Sequence, residues 1–186
     1  MIGYAVCGSF CTHAKTVSSL KILRELGEDI VPIVSPAVLT TDTRFGRSAD
    51  FISELEKICD RKCITTIDAA EPLGPAIPLE VLIIAPCTGN TMARLATGIT
   101  DTSVTMAAKA TLRADRPVLI ALASNDALSA NLSNIAALLQ KKHVYFVPMR
   151  QDDVVKKPHS LVAEFDMIPK ALEELRAGRQ LRPLFL

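Results

Sequence analysis

Short runs of apolar residues alternate along this chain with longer segments of helical periodicity. Six such runs are predicted to be β-strands, at residues 2–7, 29–35, 63–67, 80–85, 117–123 and 143–148. Their apolar residues are almost continuous, which is typical of strands that are buried on both faces of a parallel sheet. Because helical segments separate the strands, helices should cover both faces of that sheet. The pattern therefore predicts a doubly wound α/β fold.

The intervening segments supply the helices and the loops of this fold. Helices are predicted at residues 14–26, 50–58, 91–97, 102–113 and 167–177, with another late in residues 124–142. Gly27 and Gly178 should end the first and last helices, and Asp101 is a candidate N-cap. Residues 68–78 contain three prolines and are predicted to be an ordered loop. Residues 1–186 are predicted to form one domain, with residues 148–186 as a C-terminal loop and helix extension.

Length and charge exclude several classes of function. The chain has 186 residues, within the roughly 100–200 that one domain takes. Its net charge of +1 gives no electrostatic footprint for nucleic acid or a membrane surface. No apolar run reaches the roughly 18 residues of a membrane span, and the N-terminus lacks the basic start of a signal peptide. We expect a cytoplasmic protein that binds neither nucleic acid nor a membrane.

The five cysteines are predicted to be reduced thiols. Cys7 and Cys11, like Cys59 and Cys63, have three residues between them, whereas metal and redox pairs usually have two. We therefore predict no metal site. Cys87 follows a predicted strand and could be a nucleophile at a helix start. No partner base is identifiable, so the alternative is a small packed residue.

Four loops of small polar residues follow predicted strands, at residues 8–13, 35–38, 86–91 and 123–128. The carboxyl ends of parallel strands share one edge of the sheet, where doubly wound folds bind their ligands. Backbone N–H groups and hydroxyls at helix starts favour an anion such as phosphate. None of the loops has the glycine spacing of a dinucleotide or triphosphate site. A mononucleotide phosphate fits this edge better.

Two of these loops resemble motifs of the flavoprotein family, which includes phosphopantothenoylcysteine decarboxylase and the flavin prenyltransferases. Residues 86–91, Pro-Cys-Thr-Gly-Asn-Thr, resemble the family's Pro-Ala-Ser/Thr-Ala-Asn-Thr motif, and Gly98-Ile99-Thr100-Asp101 resembles the segment that follows it. Residues 7–15 resemble its Gly-Ser loop. The resemblance covers about residues 1–147. It implies a Rossmann-like fold, homo-oligomers that are often trimer-based, and FMN or a similar phosphate ligand bound between protomers.

Residue by residue, the resemblance implies a set of cofactor-binding positions in the four loops. They are Gly8, Ser9, Ser35, Thr88, Asn90, Thr91 and Asn125. Independently of the resemblance, hydroxyl and N–H groups at strand ends suit a phosphate and a ribityl chain. Ser9 and Ser35 could instead be simple caps of a turn or helix.

The chain departs from the decarboxylases of this family at two places. Residues 72–79 contain no histidine, although the decarboxylases carry one shortly before the corresponding strand. After residues 117–123, only Asn125 of the decarboxylase Pro-Ala-Met-Asn motif is present, and the Met-Trp pair is missing. These departures argue against aminoalkyl-thiol decarboxylation and leave the catalytic residue unassigned.

Within the family, the nearest resemblance implies conversion of dihydrodipicolinate to dipicolinate, a pyridine dicarboxylate, in the mother cell of a sporulating bacterium. It also implies a second, different subunit, through which NADP could enter the reaction. One alternative is a non-catalytic subunit that retains the fold and stabilises a catalytic partner. Another is a prenyltransferase or decarboxylase of the same family.

Cationic side chains are the candidates for holding the substrate carboxylates. His13, Arg150 and Lys157 are predicted to do so. His13 could instead be a solvated residue at a helix start, and the cluster around His159 could be a solvated face. Asp152 and Asp153 could act as acid and base, although adjacent loop residues usually point apart.

Overall fold

A computed structural model describes residues 1–74 and 76–186 of the chain. Pro75 belongs to the predicted loop at residues 68–78 and lies outside the described residues.

The described residues form seven strands in one sheet and eight α-helices, joined in places by short 3₁₀ turns. The strands are β1 (Ile2–Val6), β2 (Ile30–Val34), β3 (Leu82–Cys87), β4 (Val118–Ser124), β5 (Val144–Phe146), β6 (Met149–Asp153) and β7 (Lys157–Ala163). The helices are α1 (His13–Glu25), α2 (Pro36–Thr40), α3 (Ser48–Cys59), α4 (Ile67–Ala70), α5 (Gly89–Thr97), α6 (Ser103–Arg113), α7 (Leu132–Leu139) and α8 (Ile168–Arg176). Among these helices none is long and apolar enough to cross a membrane.

Strands β2, β1, β3 and β4 lie side by side in that order and are parallel. The chain moves from β1 to β2 on one side and then crosses to β3 on the other, so the strand order reverses between β1 and β3. The outer edge of β4 has two partners. Residues 118–120 pair with β5 in parallel, and Ala123 and Ser124 pair with β7 antiparallel. The hairpin of β6 and β7 extends the sheet beyond β4.

Two apolar clusters cover the two faces of the sheet, and adjacent residues of β3 contribute to opposite clusters. Leu82 and Ile84 lie in one cluster with residues of α5, α6 and α7, whereas Ile83 lies in the other with residues of α1, α3 and α8. Strand side chains alternate between faces, so each buried strand serves both clusters. The predicted doubly wound α/β fold is confirmed.

The strand predicted at residues 63–67 does not form, and this prediction was wrong. Only Ile64 pairs with the sheet: it donates to the carbonyl of Pro32 at 2.9 Å and accepts from the amide of Val34 at 2.9 Å. The chain then leaves the sheet, because Thr66 accepts a hydrogen bond from the amide of Ala69 and begins α4. β2 is otherwise an edge strand, a position in which proline is tolerated.

The N-cap of α6 is Thr102, where the sequence predicts Asp101. The Thr102 hydroxyl accepts from the amide of Thr105 at 3.1 Å, and the Thr105 hydroxyl accepts from the amide of Thr102 at 3.0 Å. This reciprocal capping box satisfies two amides. Asp101 instead forms an ion pair with Arg94 at 3.0 Å.

The hairpin of β6 and β7 occupies a segment that the sequence predicts as loop. Its outer residues are exposed and charged, so they show no apolar alternation; only the part near β4 is buried, including Ser160, Leu161 and Ala163. The turn is fixed by Asp153, whose carboxylate accepts from the amides of Val155 at 3.0 Å and Lys156 at 2.9 Å.

Candidate functional site

A cavity of about 560 Å³ opens at the carboxyl edge of the parallel strands, and we refer to it as the main cavity. The loops after β1, β3 and β4 form its floor because these strands are neighbours in the sheet. The loop between α2 and α3 and the hairpin of β6 and β7 form its walls. The lining residues are Gly8–Thr12, Arg44, Phe45, Thr88–Asn90, Ala123–Asp126, Asp152, Lys157, Ser160 and Val162.

The main cavity brings together part of the set that the sequence predicts. Gly8, Ser9, Thr88, Asn90, Asn125 and Lys157 line it. Ser35, Thr91, His13 and Arg150 do not line it, and their positions are described below.

Thr88 and Thr91 join the start of α5 to the end of β1. The Thr88 hydroxyl accepts from the amide of Thr91 at 3.3 Å and so caps the helix. The Thr91 hydroxyl, which is buried, donates to Sγ of Cys7 at 3.3 Å. Thr91 therefore holds the floor of the main cavity in place and does not face the cavity.

A network of three polar side chains forms the part of the floor that follows β4. The carboxylate of Asp126 accepts hydrogen bonds from Ser124 Oγ and from Nδ2 of Asn131, the latter at 2.9 Å. Gly89 packs against this network so closely that a Cβ there would lie 2.5 Å from Ser124 Oγ and 2.7 Å from Asn131 Nδ2. Sequence reasoning identified Asn125 in this loop and missed the network of Ser124, Asp126 and Asn131 beside it.

Ser35 lies at the end of β2 and precedes α2. Its amide donates to the carbonyl of Val6 at 3.0 Å, but its hydroxyl is buried and has no hydrogen-bond partner among the described residues. It is therefore not a side-chain cap of α2. A buried hydroxyl without a partner costs about 1–3 kcal/mol, so the position suits an external acceptor or donor.

His13 packs between two aromatic rings. Its ring stacks on Phe51 with centroids 4.2 Å apart and meets Phe10 at a tilt of 58°. Nε2 lies 3.0 Å from the carbonyl of Cys7, and since a carbonyl only accepts, Nε2 carries the proton. Burial lowers the pKa of His13 below its usual 6.5. The histidine lines a small neighbouring cavity of about 40 Å³ and is not brought to the main cavity.

The cluster predicted around Lys157 is dispersed over two faces of the hairpin. Lys157 pairs with Asp152 at 2.5 Å, and both line the main cavity. Arg150 pairs with Glu164 at 2.5 Å and opens onto a different surface beside Phe185. Asp153 fixes the turn of the hairpin, whereas Asp152 lines the main cavity. The two adjacent aspartates therefore point apart, which does not favour a joint role as acid and base.

The cysteines differ sharply in exposure, and all five are free thiols. Cys87 is fully buried, and burial raises its pKa well above the ordinary value, which favours the packing role over a nucleophile. Burial also raises the pKa of Cys7 to about 11. Cys11 is exposed and lines the main cavity.

Arg44 and Phe45 line the main cavity from a loop for which the sequence predicts no function. The Arg44 guanidinium lies 4.9 Å from the centroid of the Phe45 ring. Thr43 and Gly46 exchange backbone hydrogen bonds across this turn at 3.0 and 3.1 Å. The sequence does not reveal that Arg44 and Phe45 line the main cavity, because along the chain their loop is far from every strand-end motif except the one at Ser35.

Known proteins match the chain over its whole length. The sequence model of the flavoprotein family matches residues 4–175. The B subunit of dipicolinate synthase from Bacillus subtilis (strain 168) is 40% identical over 185 residues, which cover 100% of this chain and 92% of the relative. The crystal structure of the same B subunit from Bacillus halodurans superimposes with a TM-score of 0.91 at 39% identity, covering 100% of this chain and 95% of that one.

A more distant structure shows the same fold. The FMN-dependent cysteine decarboxylase SpaF superimposes with a TM-score of 0.68 at 21% identity, over 95% of this chain and 96% of that one. The matched residues 4–175 include the loops after β1, β3 and β4, the loop between α2 and α3, and the hairpin, which together surround the main cavity. By sequence and by fold, the chain belongs to the flavoprotein family.

Proposed function

We propose that the chain binds FMN, or a similar phosphate-bearing ligand, at the carboxyl edge of the sheet and helps to convert dihydrodipicolinate to dipicolinate. The partner in this reaction would be the A subunit of dipicolinate synthase. The observation that carries the proposal is the buried hydroxyl of Ser35, which has no hydrogen-bond partner within residues 1–74 and 76–186 and lies at the end of β2, the neighbour of β1 in the sheet. The 40% identity to the B subunit of dipicolinate synthase supports the reaction and the partner.

The residues around the edge fit FMN. Ser35 would donate to the phosphate, together with the amides and hydroxyls of the loop at Gly8 and Ser9. Thr88, Asn90 and Asn125 would hold the ribityl chain and the ring. A Cβ at Gly8 would lie 3.3 Å from Cβ of Ala37, so the absence of a side chain there relieves the packing of this loop against α2.

The reaction removes a hydride and a proton from the dihydropyridine ring, which becomes aromatic. Bound FMN would supply a two-electron acceptor. The chain's own residues would orient the ring and hold the carboxylates, with Lys157 on one wall. NADP, entering through the partner subunit, is the other candidate acceptor.

The setting of this activity follows the same proposal. We place it in the mother cell cytoplasm of a sporulating bacterium. We also propose a homo-oligomer, trimer-based, in which a neighbouring protomer covers the ligand. Sedimentation of the purified chain with and without FMN would test this assembly.

A non-catalytic role is the second candidate. The observation that favours it is the missing histidine in residues 72–79 together with the missing Met-Trp pair after β4. In that role the chain would keep the fold and stabilise the catalytic partner. It predicts a stable complex with the partner without uptake of flavin.

An FMN titration of the purified chain separates the two candidates. The chain is titrated alone and with the partner subunit, and binding is followed by absorbance and flavin fluorescence. Saturation near one flavin per chain supports the first candidate. Absence of binding in both mixtures contradicts it and favours the non-catalytic role.

A further inference from the structure

Four charged side chains line the main cavity: Arg44, Asp126, Asp152 and Lys157. Three of them already have partners within the chain. Lys157 and Asp152 pair with each other, and Asp126 accepts from Ser124 and Asn131. Within residues 1–74 and 76–186, only Arg44 of these four has neither an ion pair nor a hydrogen bond from its side chain. Arg44 is therefore the one cation of the main cavity whose hydrogen-bond donors have no partner among the described residues.

The loop that carries Arg44 is fastened at both ends. The carboxylate of Asp42 accepts from the amide of Ser48 at 2.8 Å, and the Ser48 hydroxyl shares its one proton between the carbonyls of Val38 at 2.7 Å and Leu39 at 2.6 Å. These bonds tie the loop to the end of α2 and the start of α3. Arg44 is thus presented from a closed turn.

Phe45 holds the guanidinium and leaves its N–H groups free. A guanidinium above an aromatic ring is attracted by the ring quadrupole, and its donors remain available around its edge. Such a planar fork matches a carboxylate with two parallel hydrogen bonds. Lys157 is a weaker candidate for this task, since Asp152 at 2.5 Å already neutralises it.

We propose that Arg44 determines specificity in the main cavity by binding one carboxylate of a planar aromatic dicarboxylate. The class of ligand rests on the proposed function, whereas the choice of residue rests on the charges in the main cavity. Arg44 takes the role that the sequence predicts for Arg150, which is occupied by Glu164 on another face. The phosphate of FMN is the rival anion, and the test separates it from the carboxylate.

The test measures the binding of dipicolinate, the reaction product, and of FMN by calorimetry, with the partner subunit present. The variants are Arg44→Gln and Arg44→Lys. The matched control is Arg47→Gln, which changes the same charge in the same loop but does not line the main cavity. We expect Arg44→Gln to weaken dipicolinate binding at least about tenfold, Arg44→Lys to weaken it less, and Arg47→Gln to change it less than about twofold. The affinity for FMN should be the same in all four proteins.

Two outcomes would overturn the inference while leaving the proposed function intact. One is that the wild type and Arg44→Gln have equal affinities for dipicolinate and equal affinities for FMN. The other is a loss of FMN affinity in Arg44→Gln with dipicolinate affinity unchanged, which would assign Arg44 to the phosphate. A wild type that binds FMN but no dipicolinate, with the partner present, would contradict the substrate itself and the inference with it.

Discussion

A Cβ atom on Gly89 would lie 2.8 Å from Oδ1 of Asp126, closer than such contacts occur in proteins. The position of the Asp126 carboxylate therefore requires a residue without a side chain at Gly89, the first residue of α5. Gly89→Ala should push Asp126 away from Ser124 and Asn131. We expect a loss of about 1–3 kcal/mol in the free energy of unfolding, measured by urea denaturation, and weaker FMN binding. Unchanged values for both would show that the floor of the main cavity is not packed as described.

Two serines near the end of β2 offer a matched pair. Ser35 has a buried hydroxyl without a partner in the part of the chain that the structure describes, whereas the Ser103 hydroxyl donates to the carbonyl of Val34 at 2.5 Å. Without ligand, Ser35→Ala should leave the free energy of unfolding unchanged or slightly raised, and Ser103→Ala should lower it by about 1 kcal/mol. With FMN, Ser35→Ala should weaken binding about tenfold, since a bond to a charged phosphate is lost. Equal destabilisation of the two ligand-free variants would remove the basis for placing phosphate at Ser35.

His13 should make stability depend on pH. Burial lowers its pKa in the folded chain below the unfolded value of 6.5, so the unfolded chain binds a proton more readily. The stabilisation is fully present above pH 6.5 and declines as pH falls toward the lower folded pKa. His13→Gln keeps a donor for the carbonyl of Cys7 but does not titrate. Urea unfolding between about pH 7.5 and 5.5 should show a smaller loss of stability in this variant than in the wild type. Parallel curves for the two proteins would contradict a buried, neutral His13.

Cys11 should be the thiol that reacts first in the folded chain. Cys7, Cys59 and Cys87 are buried, and burial raises the pKa of the half-buried Cys63 to about 12. A water-soluble disulfide reagent should modify about one thiol quickly at about pH 8, because the thiolate is the nucleophile. Cys11→Ser should abolish that fast phase, and FMN or dipicolinate should slow it in the wild type. A fast phase that survives in Cys11→Ser would mean that another cysteine is exposed.

The parallel strands and the loops that follow them could be predicted, because the residues that indicate them are adjacent in the sequence. Buried parallel strands are nearly continuous apolar runs, and the loops after β1, β2, β3 and β4 carry their polar residues next to those runs. The segment at residues 63–67 misled because β-branched residues favour strands, yet the hydroxyl of Thr66 begins a helix there. The hairpin of β6 and β7 escaped prediction because its exposed, charged residues lack alternation.

The separation of Arg150 from Lys157 could not be predicted either. Residues two apart in a regular strand share a face, so Arg150 and Asp152 would be expected on the same side. The register between β6 and β7 shifts between Gln151 and Asp153. Asp152 lines the main cavity, whereas Arg150 opens on another surface. A register shift of this kind depends on how β6 and β7 pair, so it cannot be predicted from the sequence of either strand.

The two partners of β4 give the site an order of assembly during translation. The four strand-end loops are complete once residue 128 has been made, but Ala123 and Ser124 must wait for Val162 and Leu161 to pair with them. Until then this stretch of β4 is an open edge, which can recruit foreign strands. A chain without the hairpin would therefore leave this part of β4 unpaired and the main cavity without one of its walls.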